Sequence, residues 1–544
     1  MDRKQIFSEL QLNPIVEVLV VGAGINGAGT FRDLALNGVN VLLIDRADFC
    51  SGASAASSHM AHGGIRYLEN GEFRLVKEAV QERNRMIQNA PHLVRPLPTT
   101  IPIFKFWSGL FNAPLKFLGL LDKPSERGAF IIKIGLMLYD AFTKSQGTVP
   151  VHRFLGKSAT LRAFPKINPQ VRYSATYFDG SIISPERYTV ELITDGESEG
   201  NHARALNYAP VSVDDDGNLY IQDGLTELKV EVKPKLIVNA AGPWIDQVNA
   251  RFGIPSRYIG GTKGSHIVVD HPELREAIGE NEIFFENKDG RIVLIFPLLD
   301  KVLIGTTDIP IENPDDAICD EDEVGYFIEM LDRVFPEIKL TKEQIIFRFS
   351  GVRPLEAQHS RTTGQITRDH SIKTNQLNHI PVLSMIGGKW TSYRAFSEQI
   401  TLRVLNYLGK SRQMSTENLP IGGGANFLSD AMKNWKDMDL AVLYGSQNQK
   451  IKDFPVSVKF ETINSPYITQ NEIAYFVRIE KVVHLDDLIL RRTLLAYLGL
   501  LNLDLLQQIA RQVGFESGWD TEKTDQELER SIRILRNQYG VKLQ

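Results

Sequence analysis

Cysteine is almost missing from this chain: its 544 residues include two, Cys50 and Cys319, far apart and outside any CxxC pattern. That excludes a disulfide scaffold and a thiolate zinc site, and it fits a reducing compartment. No stretch reaches about 18 uninterrupted apolar residues, so no transmembrane helix is expected. Met1–Pro14 mixes charges with isolated apolar residues and lacks the apolar run of a secretory signal. Neither sign of charge prevails. The 61 Lys and Arg stand against 66 Asp and Glu, and a net −5 gives nucleic acid no reason to bind. The histidines form no HxxxH or HExxH pattern and no calcium loop appears, so no metal site is expected. What is present is 43% hydrophobic residues, enough to bury a sizeable core. The length suggests about two to four domains.

The first clear element is the apolar run Val16–Val21, read as a buried parallel strand. A glycine-rich turn, a helix over about Ile25–Asn37 and a second apolar run, Val39–Ile44, complete a βαβ unit ending at Asp45. Gly22-Ala23-Gly24-Ile25-Asn26-Gly27 fits GxGxxG. The pattern is weak alone, but here it follows a strand, opens a helix and has an acidic residue at the end of the next strand. Gly22 permits the turn, Gly24 lets backbone approach a pyrophosphate, and Gly27 allows close packing of helix on strand. Free N–H groups and the positive dipole end favour phosphate. The candidate dinucleotide contacts are therefore Val21, Gly22, Ala23, Gly24, Ile25, Asn26, Gly27, Asp45 and Arg46, with Asp45 accepting from a ribose. The unit alone does not choose between NAD and FAD.

Further along, helix formers at helical spacing cover about Phe73–Ala90. Pro91, Pro96, Pro98 and Pro102 are expected to break regular structure. Residues 171–238 read as strand-like, with turns at Asp179-Gly180 and Asp216-Gly217. Short β-rich segments recur over 265–308. After about Trp390 the chain becomes mostly helical, and Gly422-Gly423-Gly424 looks like a linker.

Directly after the βαβ unit comes Ser51-Gly52-Ala53-Ser54-Ala55-Ala56-Ser57-Ser58-His59-Met60-Ala61-His62-Gly63-Gly64-Ile65-Arg66-Tyr67-Leu68-Glu69. In order there follow Val238-Asn239-Ala240-Ala241-Gly242-Pro243-Trp244, Lys263-Gly264-Ser265-His266, Ile304-Gly305-Thr306-Thr307-Asp308 and Ser350-Gly351-Val352-Arg353-Pro354. Ile366-Thr367-Arg368-Asp369 and Gly387-Gly388-Lys389-Trp390-Thr391 complete the series. This ordered set resembles the FAD-dependent glycerol-3-phosphate dehydrogenases of the respiratory, aerobic type, over about residues 15–425. Residues 101–127 look like an insertion relative to shorter members, and the C-terminal region resembles the family only loosely.

The resemblance implies an α/β fold: a FAD-binding Rossmann-like domain, an interleaved β-rich substrate (cap) domain and a C-terminal helical domain. It divides the chain into residues 1–425, the oxidoreductase region, and 426–544, mainly helical. It implies oxidation of sn-glycerol 3-phosphate to dihydroxyacetone phosphate, with FAD as hydride acceptor and a quinone taking the electrons. Flavin contacts would come from Ser57, Ser58, His62, Gly63, Gly64, Ala240, Gly242, Gly388, Lys389 and Thr391. A helix start near Lys389 or Trp390, with Thr391 helping to cap it, would face the negative charge of reduced flavin. Arg66, Arg353, Arg368 and Lys389 would meet the phosphate, since a buried phosphate needs paired cationic donors. Tyr67 would orient the substrate.

Loss of the hydroxyl proton needs a base within reach. His266 and Lys389 are both candidates; the first is equally readable as a core histidine. A quinone reductase would touch the bilayer, which places the protein in the cytoplasm, peripheral on the inner face of the membrane. The aromatic segment Ile101–Leu121, with Phe106, Trp107, Phe111 and Lys105, suits such an interface. A homo-oligomer is compatible with all of this. The competing readings are an oxidase using oxygen, an NAD-dependent dehydrogenase and a non-catalytic flavin-binding protein.

Overall fold

A computed structural model describes residues 1–64, 72–105, 132–133, 135–137, 139–140, 148–287, 292–357, 370–427, 440–457 and 463–543. Arg66, Tyr67, Arg368 and the 106–121 part of the aromatic segment lie outside the described residues.

The fingerprint unit forms as its pattern predicts: strand Ile15–Val21, helix Ile25–Leu36, strand Val41–Ile44. The two strands pair in parallel, Val18 opposite Val41 and Val21 opposite Ile44. They sit in a six-stranded sheet ordered Ser371–Leu377, Ile380–Ile386, Lys233–Asn239, Ile15–Val21, Val41–Ile44, Ala203–Leu206. Its strands are parallel except Ser371–Leu377, which pairs antiparallel at one edge. The almost unbroken apolar text of these strands follows from burial on both faces. Helices Pro185–Ser198 and Tyr393–Leu408 pack on the fingerprint helix through small residues. A Cβ on Gly29 would lie 2.6 Å from Ser397 Oγ, and one on Gly196 the same distance from the Phe31 ring.

The Pro185–Ser198 helix interrupts the stretch expected to be strand-like. Ser184 caps it by accepting from Arg187 N, and Pro185 opens its first turn. Cap chemistry outweighed β-propensity there.

A second, ten-stranded sheet builds the cap. It runs Ile309–Pro310, Thr262–Val269, Lys301–Gly305, Ile292–Leu298, Glu282–Glu286, Val94–Ile103, Tyr173–Ile182, Met60–Ala61, with Ile345–Arg353 on the free side of Thr262–Val269 and Arg153–Gly156 paired to Tyr173–Ile182. The proline-rich Val94–Ile103 does not break up: it pairs along its whole length with Tyr173–Ile182. Pro96, Pro98 and Pro102 are an even number of residues apart, so their missing N–H groups all fall on one edge. That strand also takes in Ile101, Pro102 and Ile103, while Phe104 packs on the core under the cap. The first residues of the expected membrane-facing segment are therefore sheet and core.

The C-terminal helices, including Gln470–Arg478, Leu503–Ser517 and Thr521–Tyr539, share the main core with the dinucleotide unit. The glycine triplet is no loose linker. A Cβ on Gly424 would lie 2.2 Å from the Asn89 carbonyl oxygen, and one on Gly423 2.1 Å from that of Tyr444. Those glycines let three segments close on one another. A buried charge cluster completes the junction. Asp48, on the loop after the second strand, accepts from Arg491 Nε at 2.6 Å and Arg492 Nη1 at 2.8 Å. Arg491 also meets Asp487 at 2.5 Å, and Arg492 meets Glu480 at 3.6 Å.

Candidate active site

Four backbone segments converge at the amino end of the Ile25–Leu36 helix. The first is the fingerprint turn. Gly22 has φ of +104°, and a Cβ on Gly27 would lie 1.8 Å from the Gly22 carbonyl oxygen, so neither position accepts a side chain. Gly24 begins the helix with no side-chain cap. Asp45 turns inward: Oδ2 accepts from Ala23 N at 2.7 Å and Oδ1 from Ala47 N at 3.0 Å. Burial pushes its carboxyl up to about 6 against the pull of those two N–H groups. In this arrangement Asp45 fixes the turn; the ribose contact expected from its position is a proposal. Arg46 points outward, ion-paired to Asp315 at 2.5 Å and lying 5.0 Å over the Trp244 ring.

The second segment is the Ser51–Gly64 loop. Ser54 Oγ accepts from Ile25 N at 2.9 Å, and Trp390 Nε1 donates to the Ser54 carbonyl at 3.0 Å. The third is the Gly387–Thr391 turn after strand Ile380–Ile386. Gly388 has φ of +95°, and a Cβ there would come within 2.7 Å of Asn26 Nδ2. The helix begins only at Tyr393, three residues beyond Trp390, with Ser392 at its start. Thr391 does not cap it: its hydroxyl donates to the His62 carbonyl at 3.2 Å. A turn at 390–392 replaces the expected first helical turn and swings Thr391 toward the loop. The fourth segment is Ala240–Gly242, where strand Lys233–Asn239 ends against Gly22.

This cradle fits a dinucleotide. The buried Asn26 Oδ1 has no partner among the described residues. The helix start, where Gly24 brings no side chain and Ser54 takes only the Ile25 N–H, lies beside it, and side chains are excluded at Gly22, Gly27 and Gly388. Such a site suits phosphates at the helix start and a flat ring beyond them.

The Ser51–Gly64 loop also reaches the cap sheet. Ser58 Oγ lies 2.8 Å from His266 Nε2, and a Cβ on Gly351 would lie 2.4 Å from that of Ala56. His266, on strand Thr262–Val269, is 2% exposed and stacked on Phe349 with ring centroids 4.9 Å apart. Gly305 across the sheet leaves the space its ring occupies. Burial, with Arg353 and His59 adding to it, holds His266 well below the ordinary imidazole range. It is a neutral group whose Nδ1 has no partner among the described residues.

Arg353 ends the neighbouring strand and crosses Gly264, where a Cβ would meet its guanidinium at 2.4 Å. Its Nη1 donates to Asp308 at 3.2 Å, and its Nη2 to Thr306 Oγ1 at 2.9 Å and the Thr307 carbonyl at 3.1 Å. The turn behind it is braced in turn. Thr307 bonds Glu323 at 2.5 Å, and Lys263 bridges Glu323 and Asp320 at 2.9 and 3.0 Å. The Ser51–Gly64 loop thus links His266, on the strand beside that of Arg353, to the Gly387–Thr391 turn, in which Lys389 is half-buried.

Ser54 and Asp308 were not singled out by sequence, and Trp390 only as a possible helix start. All three lie within the motifs that carry the resemblance, so the positions were marked but not their contacts. His62 and Gly63 are placed by the sheet as well as by the cradle: Gly63 N donates to Asp179 at 2.8 Å. A Cβ on Gly63 would lie 2.0 Å from the Tyr139 hydroxyl, so the glycine is required by this tyrosine.

Residues 17–394 match the FAD dependent oxidoreductase family, and residues 414–524 match the C-terminal domain of alpha-glycerophosphate oxidase. A glycerol-3-phosphate dehydrogenase of Synechocystis is 32% identical over 96% of this chain and 97% of its own length. A D-erythritol 1-phosphate dehydrogenase of Brucella abortus is 30% identical, covering 88% and 94%. The fold is shared with a glycerol-3-phosphate dehydrogenase of Bacillus halodurans solved with FAD. Its TM-score is 0.72 at 21% identity, over 98% of this chain and 97% of that one. The fingerprint cradle, the cap sheet and these matches along nearly the whole chain agree: FAD is the cofactor, and the chain belongs to the FAD-dependent glycerol-3-phosphate dehydrogenase family.

Proposed function

We propose that this protein oxidises sn-glycerol 3-phosphate at C2 to dihydroxyacetone phosphate and passes the electrons to a quinone. The observation that carries the reading is the Ser58–His266 hydrogen bond. It ties the loop beside the fingerprint to the cap strand that pairs with the strand of Arg353, which supports a role for that guanidinium in holding an anion beside the flavin. Bound FAD supplies the hydride acceptor. Arg353 takes phosphate oxygens with a planar fork. Lys389 adds a second cation, and Arg66 and Arg368 supply further ones in this reading. Tyr67 orients the substrate.

Of the two candidate bases, neutral His266 is protonated only at the expense of a buried cation beside Arg353. Lys389, acting as the second cation, has no lone pair with which to accept, so the hydroxyl proton passes to the His266 imidazole despite that cost. Ser57, His62, Gly64, Ala240, Gly242 and Gly388 keep the flavin side of the cradle small. Residues 1–425 form the catalytic region and 426–544 the helical domain that backs it.

Glycerol 3-phosphate should bleach the oxidised-flavin absorption of the purified protein under anaerobic conditions, and a quinone analogue should restore it faster than oxygen. No bleaching would remove the substrate. Stoichiometric hydrogen peroxide at the full rate would favour an oxidase. The erythritol-phosphate relative favours one rival substrate, and D-erythritol 1-phosphate belongs in the same assay; faster bleaching by it would replace glycerol 3-phosphate.

No helix among the described residues is long and apolar enough to cross a membrane. Contact with the bilayer is assigned to the 106–121 segment, peripheral on the inner face. Liposomes should sediment the wild type but less of a folded, FAD-bound Phe106→Asp/Trp107→Asp/Phe111→Asp variant; equal sedimentation removes the segment as anchor.

A further inference from the structure

The His62–Gly64 turn is held from two sides. On one side the Thr391 hydroxyl binds the His62 carbonyl, beside the Gly388–Asn26 contact. On the other, the Gly63 N–H enters the cap sheet and ends on a carboxylate 1% exposed, that of Asp179 on strand Tyr173–Ile182. Three further groups converge on that carboxylate. The Tyr139 hydroxyl donates to it at 2.7 Å, the Tyr177 hydroxyl bonds it, and Arg83, itself fully buried, lies 3.5 Å away. Arg83 comes from helix Phe73–Asn89 and also donates to the Tyr139 hydroxyl at 2.9 Å and the Phe178 carbonyl at 2.6 Å. Helix, sheet and the Tyr139 segment therefore meet at one buried charge, and that charge has a single backbone N–H of the flavin-side loop in its grip.

A buried ion pair is a poor source of stability, because desolvation offsets its attraction. Its attested use is to fix one arrangement out of several. Here the arrangement fixed is a loop position. Gly63 leaves no room for a side chain beside the Tyr139 hydroxyl, and the same Asp179 oxygen accepts from Gly63 N and from that hydroxyl, so the turn and Tyr139 share one anchor. Asp179 is remote from Ser58, His266 and Arg353 in the hydrogen-bond network, so it does not belong to the substrate-facing set.

We propose that Asp179 is a positioning residue of the flavin site: with Arg83 and Tyr139 it fixes the backbone at Gly63, and thereby the place of His62 against the Thr391 turn. The proposal rests on FAD occupying the cradle and is independent of which polyol phosphate is oxidised.

The test compares holoenzymes of wild type, Asp179→Asn and Tyr139→Phe. Asp179→Asn keeps the size of the side chain but cannot serve all three donors and the guanidinium. It should retain FAD, with displaced flavin absorption bands and a shifted midpoint potential in a dithionite titration. Its single-turnover rate of flavin reduction should fall about tenfold, the scale expected when reacting groups are displaced by less than an ångström, while KM changes less than about threefold. Tyr139→Phe leaves the carboxylate and Arg83 in place and should shift the spectrum and rate in the same direction by a smaller amount. Wild-type spectrum, potential and rate in Asp179→Asn would overturn the proposal. Should Asp179→Asn fail to fold or to hold FAD, Tyr139→Phe decides: an unchanged spectrum and rate overturn it, a shift supports it. If glycerol 3-phosphate does not reduce the wild-type flavin, the substrate reading fails, and the spectrum and potential still decide the role of Asp179.

Discussion

Asp48→Ala should lower the unfolding free energy by about 3–5 kcal/mol, the usual cost of removing one partner from a buried ion pair. Asp48 is fully buried and accepts from Arg491, from both Nη atoms of Arg492, and from Asn207 Nδ2 at 2.9 Å. Without it Arg491 keeps Asp486 and Asp487, but Arg492 keeps only the longer contact to Glu480 and that residue's carbonyl. An arginine 2% exposed is then left largely uncompensated. Burial raises the Asp48 carboxyl, but Arg492 and Arg491 outweigh it and hold the group well below the ordinary range. Its stabilisation is therefore complete above the unfolded-state value near pH 4 and is lost as pH falls toward the folded-state value. Thermal unfolding should show a lower Tm for the variant at neutral pH and a shallower loss of stability on acidification. Replacing both Asp48 and Arg492 by apolar residues should recover part of the loss. A wild-type Tm in Asp48→Ala would mean the junction does not depend on this pair.

The contrast between Asp48 and the fingerprint shows what sequence carries. Local patterns were legible. The strands of the βαβ unit, helix Ile25–Leu36 and the helix at Phe73–Asn89 follow from apolar periodicity and glycine spacing, which need only near neighbours. Gly27 was read as a packing glycine, and its Cβ would indeed strike the Gly22 carbonyl. What failed were statements about partners far away in the chain. Asp48 meets residues 443 and 444 positions later, and nothing local marks it. The prolines of Val94–Ile103 read as breakers because a sequence does not show which edge of a strand will be paired. Gly422–Gly424 read as a linker because glycine signals freedom and close packing with the same letter.

The site shows the same division. Its glycine turns, Ser58, His266, Arg353 and Lys389 were visible in motifs, whereas Asp179 was read as part of a turn with Gly180 although both lie inside strand Tyr173–Ile182, and Tyr139 was not marked; the importance of the two lies in a contact with Gly63. Arg3 is similar: it anchors the N-terminal helix Arg3–Leu12 through Asp223 at 2.7 Å, 220 residues away. In Met1–Pro14 only mixed charges could be read.

Arg353→Ala should lower kcat/KM for glycerol 3-phosphate by roughly ten- to a hundredfold, from the loss of about 1.5–3 kcal/mol of charge-assisted hydrogen bonding. The guanidinium lies flat over Gly264, about a quarter exposed, with Nη1 on Asp308 and Nη2 on Thr306 and Thr307. Truncation removes the fork and also leaves Asp308 facing the same space unneutralised, so an arriving phosphate meets repulsion in place of attraction. Both effects act on the anion and neither acts on a neutral polyol. Glycerol should be a poor substrate for the wild type and be turned over by the variant at nearly the same low rate, and the preference for the phosphate ester should collapse. Arg353→Lys keeps the charge but not the planar pair of donors, and should fall between the two. FAD content should stay the same in all three proteins, because Arg353 belongs to the cap strand and not to the cradle. Steady-state kinetics with both substrates, beside the flavin absorbance of each preparation, make the comparison. If Arg353→Ala keeps wild-type kcat/KM for glycerol 3-phosphate, Arg353 does not hold the phosphate. If activity on both substrates falls equally, it acts on the reaction rather than on the anion.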